Sequence, residues 1–281
     1  MSKYLIKGQP PSPGCYVLVD ENNSPLKLIR LSRILLTPEQ GMYEGSTEDR
    51  EAALHILGGK AAVRVSTKTG LKLDYPNIGG RRDVFQGGPT TVYIPRESTF
   101  TISRRSPRLD VLLVSAPARV DTAPALIRPE DAAMSAAGAS NWRRRVYNCL
   151  GDNIQADRLL VGETFAAPGG WSSYPPHKHD SENPPYEMPA EEVYFFQVNP
   201  PQGFGVMRVY TDKDDPEPFD EVFVIENNDI GLIPRGYHPV SAAGGYEVYY
   251  FWAIAGDQRL YGAWREDPQH VWVKYCEKLL D

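Results

Sequence analysis

Glycine and proline break this chain so often that few long helices can form in it. The 281 residues include 24 glycines and 25 prolines, and the apolar residues between them fall into short runs, alternating or continuous. Such runs suit strands of four to eight residues better than helices, which need longer uninterrupted segments with a 3.6-residue period. The pattern predicts strands at 15–19, 27–35, 52–56, 61–66, 91–94, 109–115, 159–165, 192–198, 205–210, 221–225, 230–233 and 246–254. Helix is expected only near 129–137 and 269–280. The fold class is therefore all-β, a sandwich or barrel with few short helices.

Histidine is scarce, and three of the five histidines fall in two short motifs. His177 and His179 stand one residue apart after Tyr174-Pro-Pro, and His238 closes Ile233-Pro-Arg-Gly-Tyr-His238. On an extended backbone, residues i and i+2 project to one face, so His177 and His179 can offer both imidazoles to one point. Neutral imidazole is a ligand for zinc, iron and copper. On the strand between the two motifs, alternation sends Glu192, Tyr194 and Phe196 to one face and Glu191, Val193 and Phe195 to the other. Glu192 is the expected carboxylate ligand, with Glu191 as its competitor. Three neutral histidines and one carboxylate leave coordination positions open, as a catalytic metal requires.

The same plan occurs twice along the chain. Tyr93-Ile-Pro-Arg-Glu-Ser-Thr-Phe100 aligns with Leu232-Ile-Pro-Arg-Gly-Tyr-His-Pro239, and Arg50-Glu-Ala-Ala-Leu-His55 with Glu191-Glu-Val-Tyr-Phe-Phe196. This matches Glu51 to Glu192 and Pro95 to Pro234, at spacings of 44 and 42 residues. The first copy has no His-x-His, and Thr99 stands where the second has His238. Two barrels are expected, a metal-free one over 1–120 and a metal-binding one over 121–281, joined through the Ala- and Pro-rich stretch 116–140.

Bulk properties narrow the partners. A net charge of −6 with scattered acidic residues argues against nucleic acid, which needs a basic face. Cys15, Cys149 and Cys276 form no Cys-x-x-Cys and read as reduced thiols. With no secretory leader and no membrane-length apolar run, the expected location is cytoplasmic. A homo-oligomer is the default for such a chain.

Several segments together resemble a known family. Trp171-Ser-Ser-Tyr-Pro-Pro-His-Lys-His-Asp180, Glu191-Glu-Val-Tyr-Phe-Phe196, Gly203-Phe-Gly-Val-Met-Arg-Val-Tyr-Thr-Asp212 and Ile233-Pro-Arg-Gly-Tyr-His-Pro-Val240 resemble the 5-deoxy-glucuronate isomerases of myo-inositol catabolism. Leu126-Ile-Arg-Pro-Glu-Asp131 and Arg145-Val-Tyr-Asn148 are similar to the same family. The resemblance is dense from Leu126 to Tyr250 and thinner before it. It implies a bicupin, two fused double-stranded β-helix (jelly-roll) barrels, that interconverts 5-deoxy-glucuronate and 5-dehydro-2-deoxy-gluconate. Likeness to the related uronate ketol-isomerases implies one divalent ion per chain on His177, His179, Glu192 and His238, zinc by preference, with manganese or iron as alternatives. Twelve residues separate His179 from Glu192, where most cupins have three or four, and the resemblance includes this insertion.

Aldose–ketose isomerisation needs a Lewis acid at two adjacent oxygens and a group that moves a proton. Lys178, Tyr194 and Tyr237 are the candidates for the latter, beside a metal-bound hydroxide. A guanidinium should meet the substrate carboxylate. Arg208 is the first choice and Arg235 the second, although Arg96 occupies the position of Arg235 in the copy without the metal motif. The same ligand set also serves cupin dioxygenases and decarboxylases, and a non-catalytic sugar-binding bicupin is the third reading.

Overall fold

A computed structural model describes residues 3–280. Among these, strand follows strand, with one α-helix, Trp272–Leu280, and one 3-10 turn, Ser140–Trp142. The chain divides into two compact units: Pro10–Ala133 with Asn148–Val161, and Met1–Gln9 with Met134–Tyr147 and Gly162–Asp281. These N-terminal and C-terminal units are interleaved in sequence, unlike consecutive segments cut at residue 120. One cause is the strand Leu5–Ile6, which pairs with Ile230 and Gly231 and so gives its hydrogen bonds to the C-terminal unit.

In the N-terminal unit a six-stranded sheet holds Arg50–Gly58 between Thr91–Ile94 and Leu109–Pro117. A four-stranded sheet has Lys60–Thr67 and Ser98–Arg104 at its centre. Both sheets send alternate residues into one core. Ala52, Leu54 and Ile56 meet Ala61, Val63, Val65, Phe100 and Ile102 there. Burying each large aliphatic side chain contributes about 1.5–3 kcal/mol.

The ladders correct the register of the internal repeat. Ala52 pairs with Ile94, whereas Glu192 pairs with Ile233. If Ile94 corresponds to Ile233, then Ala52 stands in the place of Glu192 and Glu51 in the place of Glu191. A slip of one residue puts a side chain on the opposite face of its sheet. Glu51 accordingly points away from the apolar core. It accepts hydrogen bonds from the backbone N–H groups of Asp157 (2.8 Å), Arg158 (2.6 Å) and Leu159 (2.7 Å) and from the Tyr93 hydroxyl (2.7 Å).

A seven-stranded sheet, which supplies most of the strands of the C-terminal unit, runs in the order Leu5–Ile6, Ile230–Ile233, Ala190–Asn199, Glu247–Gly256, Leu159–Ala166, Arg144–Leu150 and Ala133–Ala137. A four-stranded sheet, Trp171–Ser172, Val240–Ala242, Gly205–Tyr210 and Asp220–Ile225, and the pair His177–Lys178 with Arg265–Glu266 complete it. Gly162 is required by packing, because a Cβ there would come within 2.2 Å of the Trp252 ring.

Two expectations about elements change. The helix expected at 129–137 is a turn followed by the strand Ala133–Ala137, because pairing beside Arg144–Leu150 outweighs the helix propensity of its alanines. The strand Lys72–Gly79 was not foreseen, since Pro76 interrupts it. It lies at the edge of its sheet, where a proline costs no ladder hydrogen bond. The C-terminal helix expected at 269–280 spans Trp272–Leu280.

Candidate metal centre and its cavity

Glu192 lies on the inward face of Ala190–Asn199 with Tyr194 and Phe196, as period-two alternation requires. Its ladder partner Ile233 ends the next strand, and the turn that follows delivers His238. Gly236 makes that turn possible with a φ of +93°, and any Cβ there would come within 2.7 Å of the Tyr210 carbonyl. The Gly236 N–H donates to Asp180 (2.8 Å) and its carbonyl accepts from His238 Nδ1 (2.8 Å). His179 is held in the same way, its Nδ1 donating to the Ala190 carbonyl at 2.8 Å.

These two bonds decide where the lone pairs point. With both Nδ1 atoms donating to carbonyls, a neutral His179 or His238 carries its lone pair on Nε2. His179 Nε2 lies 3.1 Å and His238 Nε2 3.2 Å from the same Glu192 oxygen. Three acceptors thus converge, which is repulsive unless a proton or a cation lies among them. One ligand atom from each of His179, Glu192 and His238 lies within 4.8 Å of the others, and all three residues are buried. His238 Nε2 is buried without a hydrogen-bond partner. The donor set fits a divalent ion of the borderline class.

The protonation tendencies agree. Burial opposes charge on His179, but the hydrogen bond and charge of Glu192 raise its pKa above the ordinary histidine value. Burial likewise opposes charge on Glu192, and its bond to His179 together with the nearby His238 imidazole holds its pKa below the usual carboxylate value. His177 is pushed well below the ordinary value by burial and by its neighbouring imidazoles, so it is neutral at pH 7. Its position differs from that of the other three. The His177 ring sits edge-on to His238 at 4.7 Å, 6.3 Å from the His179 ring and 5.1 Å from the Trp264 ring. It stands at the rim of the cluster, on the wall of a cavity.

That cavity has a volume of about 420 Å³, and Glu192, His177, Tyr194, Tyr250, Trp264 and Arg144 are among its lining residues. Tyr194 donates or accepts at Ser173 Oγ (3.0 Å), which also meets the Tyr250 hydroxyl (3.3 Å), and Tyr250 bonds Ser172. Burial and the nearby Glu192 charge raise the Tyr194 pKa well above that of an ordinary tyrosine.

The other residues singled out from sequence lie elsewhere. Lys178 alternates away from its histidine neighbours and is bonded to Asp180 and Ser181, with Glu187 and Asp212 each 3.8 Å from its Nζ. Tyr237 donates to Asp212 at 3.0 Å and packs on Tyr210. Neither lines the cavity. Arg208 forks onto Asp220 with two bonds of 2.7 Å and lies over the Tyr210 ring. Arg235 is paired with Asp215 at 2.7 Å. Both guanidinium groups are neutralised by local carboxylates and line no part of the cavity.

Arg144 is the cationic group that sequence reasoning missed. It sits in the run Arg143-Arg144-Arg145, where alternation alone could have set it opposite its neighbours. Arg145 faces outward to Glu247 (2.9 Å), while Arg144 faces the cavity. Burial lowers its pKa from the ordinary arginine value, although it remains charged.

Two jelly-roll barrels in one chain, one carrying a His/His/Glu cluster whose Glu192 lines a cavity, define a bicupin. The chain belongs to the KduI/IolB family, which matches residues 5–273, and it is an isomerase. A protein of Geobacillus thermodenitrificans (strain NG80-2) named 5-deoxy-glucuronate isomerase is 38% identical over 275 residues, covering 97% of this chain and 96% of the relative. A relative of the same name from Listeria monocytogenes serotype 4a (strain HCC23) is 34% identical over 266 residues, covering 93% and 94%. The crystal structure of an IolB-like protein from Salmonella typhimurium LT2 superposes with a TM-score of 0.88 at 29% identity, covering 97% of this chain and all of that one. Oxalate decarboxylase of Lactobacillus farciminis shares the fold at a TM-score of 0.68 and 12% identity, covering 92% and 88%.

Proposed function

We propose that the chain is a metal-dependent aldose–ketose isomerase converting 5-deoxy-glucuronate to 5-dehydro-2-deoxy-gluconate in myo-inositol breakdown. One divalent ion, zinc by preference, would be held by His179, Glu192 and His238, with His177 as the fourth ligand. The observation that carries the reading is the convergence of two Nε2 lone pairs on a buried carboxylate at the foot of the cavity. An ion held there would supply Lewis acidity for the charge that develops on the substrate oxygens.

The reaction moves a hydrogen from C2 to C1 and a proton from O2 to O1. Tyr194 stays protonated at neutral pH, so it serves as a hydrogen-bond donor and proton carrier and not as a phenolate base. Its contact with Ser173, and that of Ser173 with Tyr250, form a chain of hydroxyls along which a proton can pass between substrate oxygens. Trp252, Tyr261 and Trp264 form aromatic walls that keep water from the intermediate.

We place the enzyme in the cytoplasm as a homo-oligomer. The free cysteines Cys15, Cys149 and Cys276 support a reducing compartment. Among the described residues no helix is long and apolar enough to cross a membrane. Trp272, Tyr275 and Leu279 form an exposed apolar stripe on the C-terminal helix, which supports self-association testable by sedimentation.

The deciding experiment is an NMR time course of metal-loaded protein with 5-deoxy-glucuronate in the absence of oxygen. Loss of the aldehyde-hydrate signal with growth of a ketone is expected. An unchanged spectrum with metal bound overturns the substrate.

A further inference from the structure

We propose that Arg144 anchors the carboxylate of the substrate and thereby sets a preference for sugar acids over neutral sugars. The inference rests on the isomerase reading of the same cavity. Its ground is the unsatisfied edge of one guanidinium. Arg144 Nη1 donates to the carbonyls of Tyr174 (2.8 Å) and Trp142 (3.3 Å), and these two bonds fix the plane of the group. Nε–H and Nη2 have no partner among the described residues. That edge presents two parallel donors, the arrangement that binds a carboxylate side-on.

The surroundings were shaped to admit the group without neutralising it. Gly138, at a φ of +76°, lies so close that a Cβ would come within 2.7 Å of Nη1. No carboxylate among the described residues lies within ion-pair distance of Arg144. Glu277, whose charge does act on it, is engaged by Trp142 Nε1 at 3.0 Å. Lys274, the other cation lining the cavity, is bonded to Glu266. Arg144 is thus a half-buried cation on the cavity wall with no carboxylate at ion-pair distance, so an anion entering the cavity can pair with it. Glu192 of the cluster, His177 and Arg144 line the same cavity. A six-carbon acid offers a matching pair of ends, with the reacting C1 and C2 at one and the carboxylate at the other.

The test compares 5-deoxy-glucuronate with its neutral counterpart, 5-deoxy-glucose, by calorimetric binding to metal-loaded wild type, Arg144→Gln and Arg144→Lys. Wild type is expected to favour the acid by on the order of 100-fold, the range for truncating one partner of a hydrogen-bonded charge pair. Arg144→Gln brings the ratio close to one by weakening the acid alone, Arg144→Lys keeps part of the preference, and added guanidinium restores binding of the acid to Arg144→Gln. A ratio unchanged in Arg144→Gln, or no preference in wild type, overturns the assignment. The wild-type ratio and Arg144→Lys decide the matter even where circular dichroism shows that Arg144→Gln does not fold. Acid that binds through Arg144 without being isomerised leaves the anchor standing and overturns the substrate assignment instead.

Discussion

Glu51 resembles a metal ligand in sequence and acts as a clasp in the structure, which makes its replacement a quantitative test. Its Oε1 accepts from Arg158 N–H and Leu159 N–H, and its Oε2 from Asp157 N–H and the Tyr93 hydroxyl. Glu51→Ala removes all four acceptances. Asp157 is only half-buried, so its amide can turn to water, and the Tyr93 hydroxyl keeps Thr122 Oγ1 at 2.7 Å. The Arg158 and Leu159 amides sit in buried residues, where water replaces a lost acceptor less readily. At about 2 kcal/mol for each stranded buried donor, Glu51→Ala should cost about 4 kcal/mol. Glu51→Gln keeps a carbonyl for Arg158 and Leu159 and sets its NH₂ against the Asp157 amide, so it should cost only about 1–2 kcal/mol. Urea unfolding of the metal-free protein measures both. Metal content and turnover of the folded variants should stay within about twofold of wild type, since the sites are independent. An alanine cost below 1 kcal/mol, or equal costs for alanine and glutamine, would refute the reasoning from individual hydrogen bonds.

Three further outcomes are expected. Glu192→Gln should lower metal affinity at least about 100-fold, and in the metal-free protein an NMR titration should find the His179 pKa below the ordinary histidine value, because burial persists once the carboxylate charge is gone; a His179 pKa that stays raised contradicts the pairing. Tyr194→Phe should cut kcat by about 100-fold with little change in KM, in line with loss of a proton-transfer group, and a kcat equal to wild type removes Tyr194 from the reaction. Asp180 is opposed by burial, yet Lys178, Ser181 and the Gly236 amide hold its pKa below the usual aspartate value. Its contribution is therefore complete above the unfolded aspartate pKa near about 4 and is lost as the pH falls through the lower folded value; Asp180→Asn should flatten the acid limb of the stability curve below about pH 4, and an unaltered limb would show that another group governs it.

Local pattern carried much of the architecture. Ala190–Asn199, Ile230–Ile233 and Glu247–Gly256 were legible because buried strands are runs of branched and aromatic residues bounded by turns. Pro76 hid an edge strand, and the alanines at 133–137 imitated a helix, because strand pairing is decided by segments distant in sequence. The likeness of Glu51 to Glu192 misled by a single residue, and in a sheet one residue separates the core from the opposite face.

The same limit applies to the site. Alternation determined that Glu192 shares a face with Tyr194, and motif spacing singled out His179 and His238, which the structure brings to one carboxylate oxygen. Those are properties of a short stretch of backbone. Which arginine meets the cavity depends instead on what each strand packs against. Arg208 found Asp220 on the adjoining strand and Arg235 found Asp215, while Arg144 was turned inward beside Gly138 with no carboxylate within ion-pair distance. Sequence alone determined an all-β chain and the chemical character of its ligands. Only the tertiary structure decided which charges were left uncompensated, because compensation depends on neighbours brought together by folding.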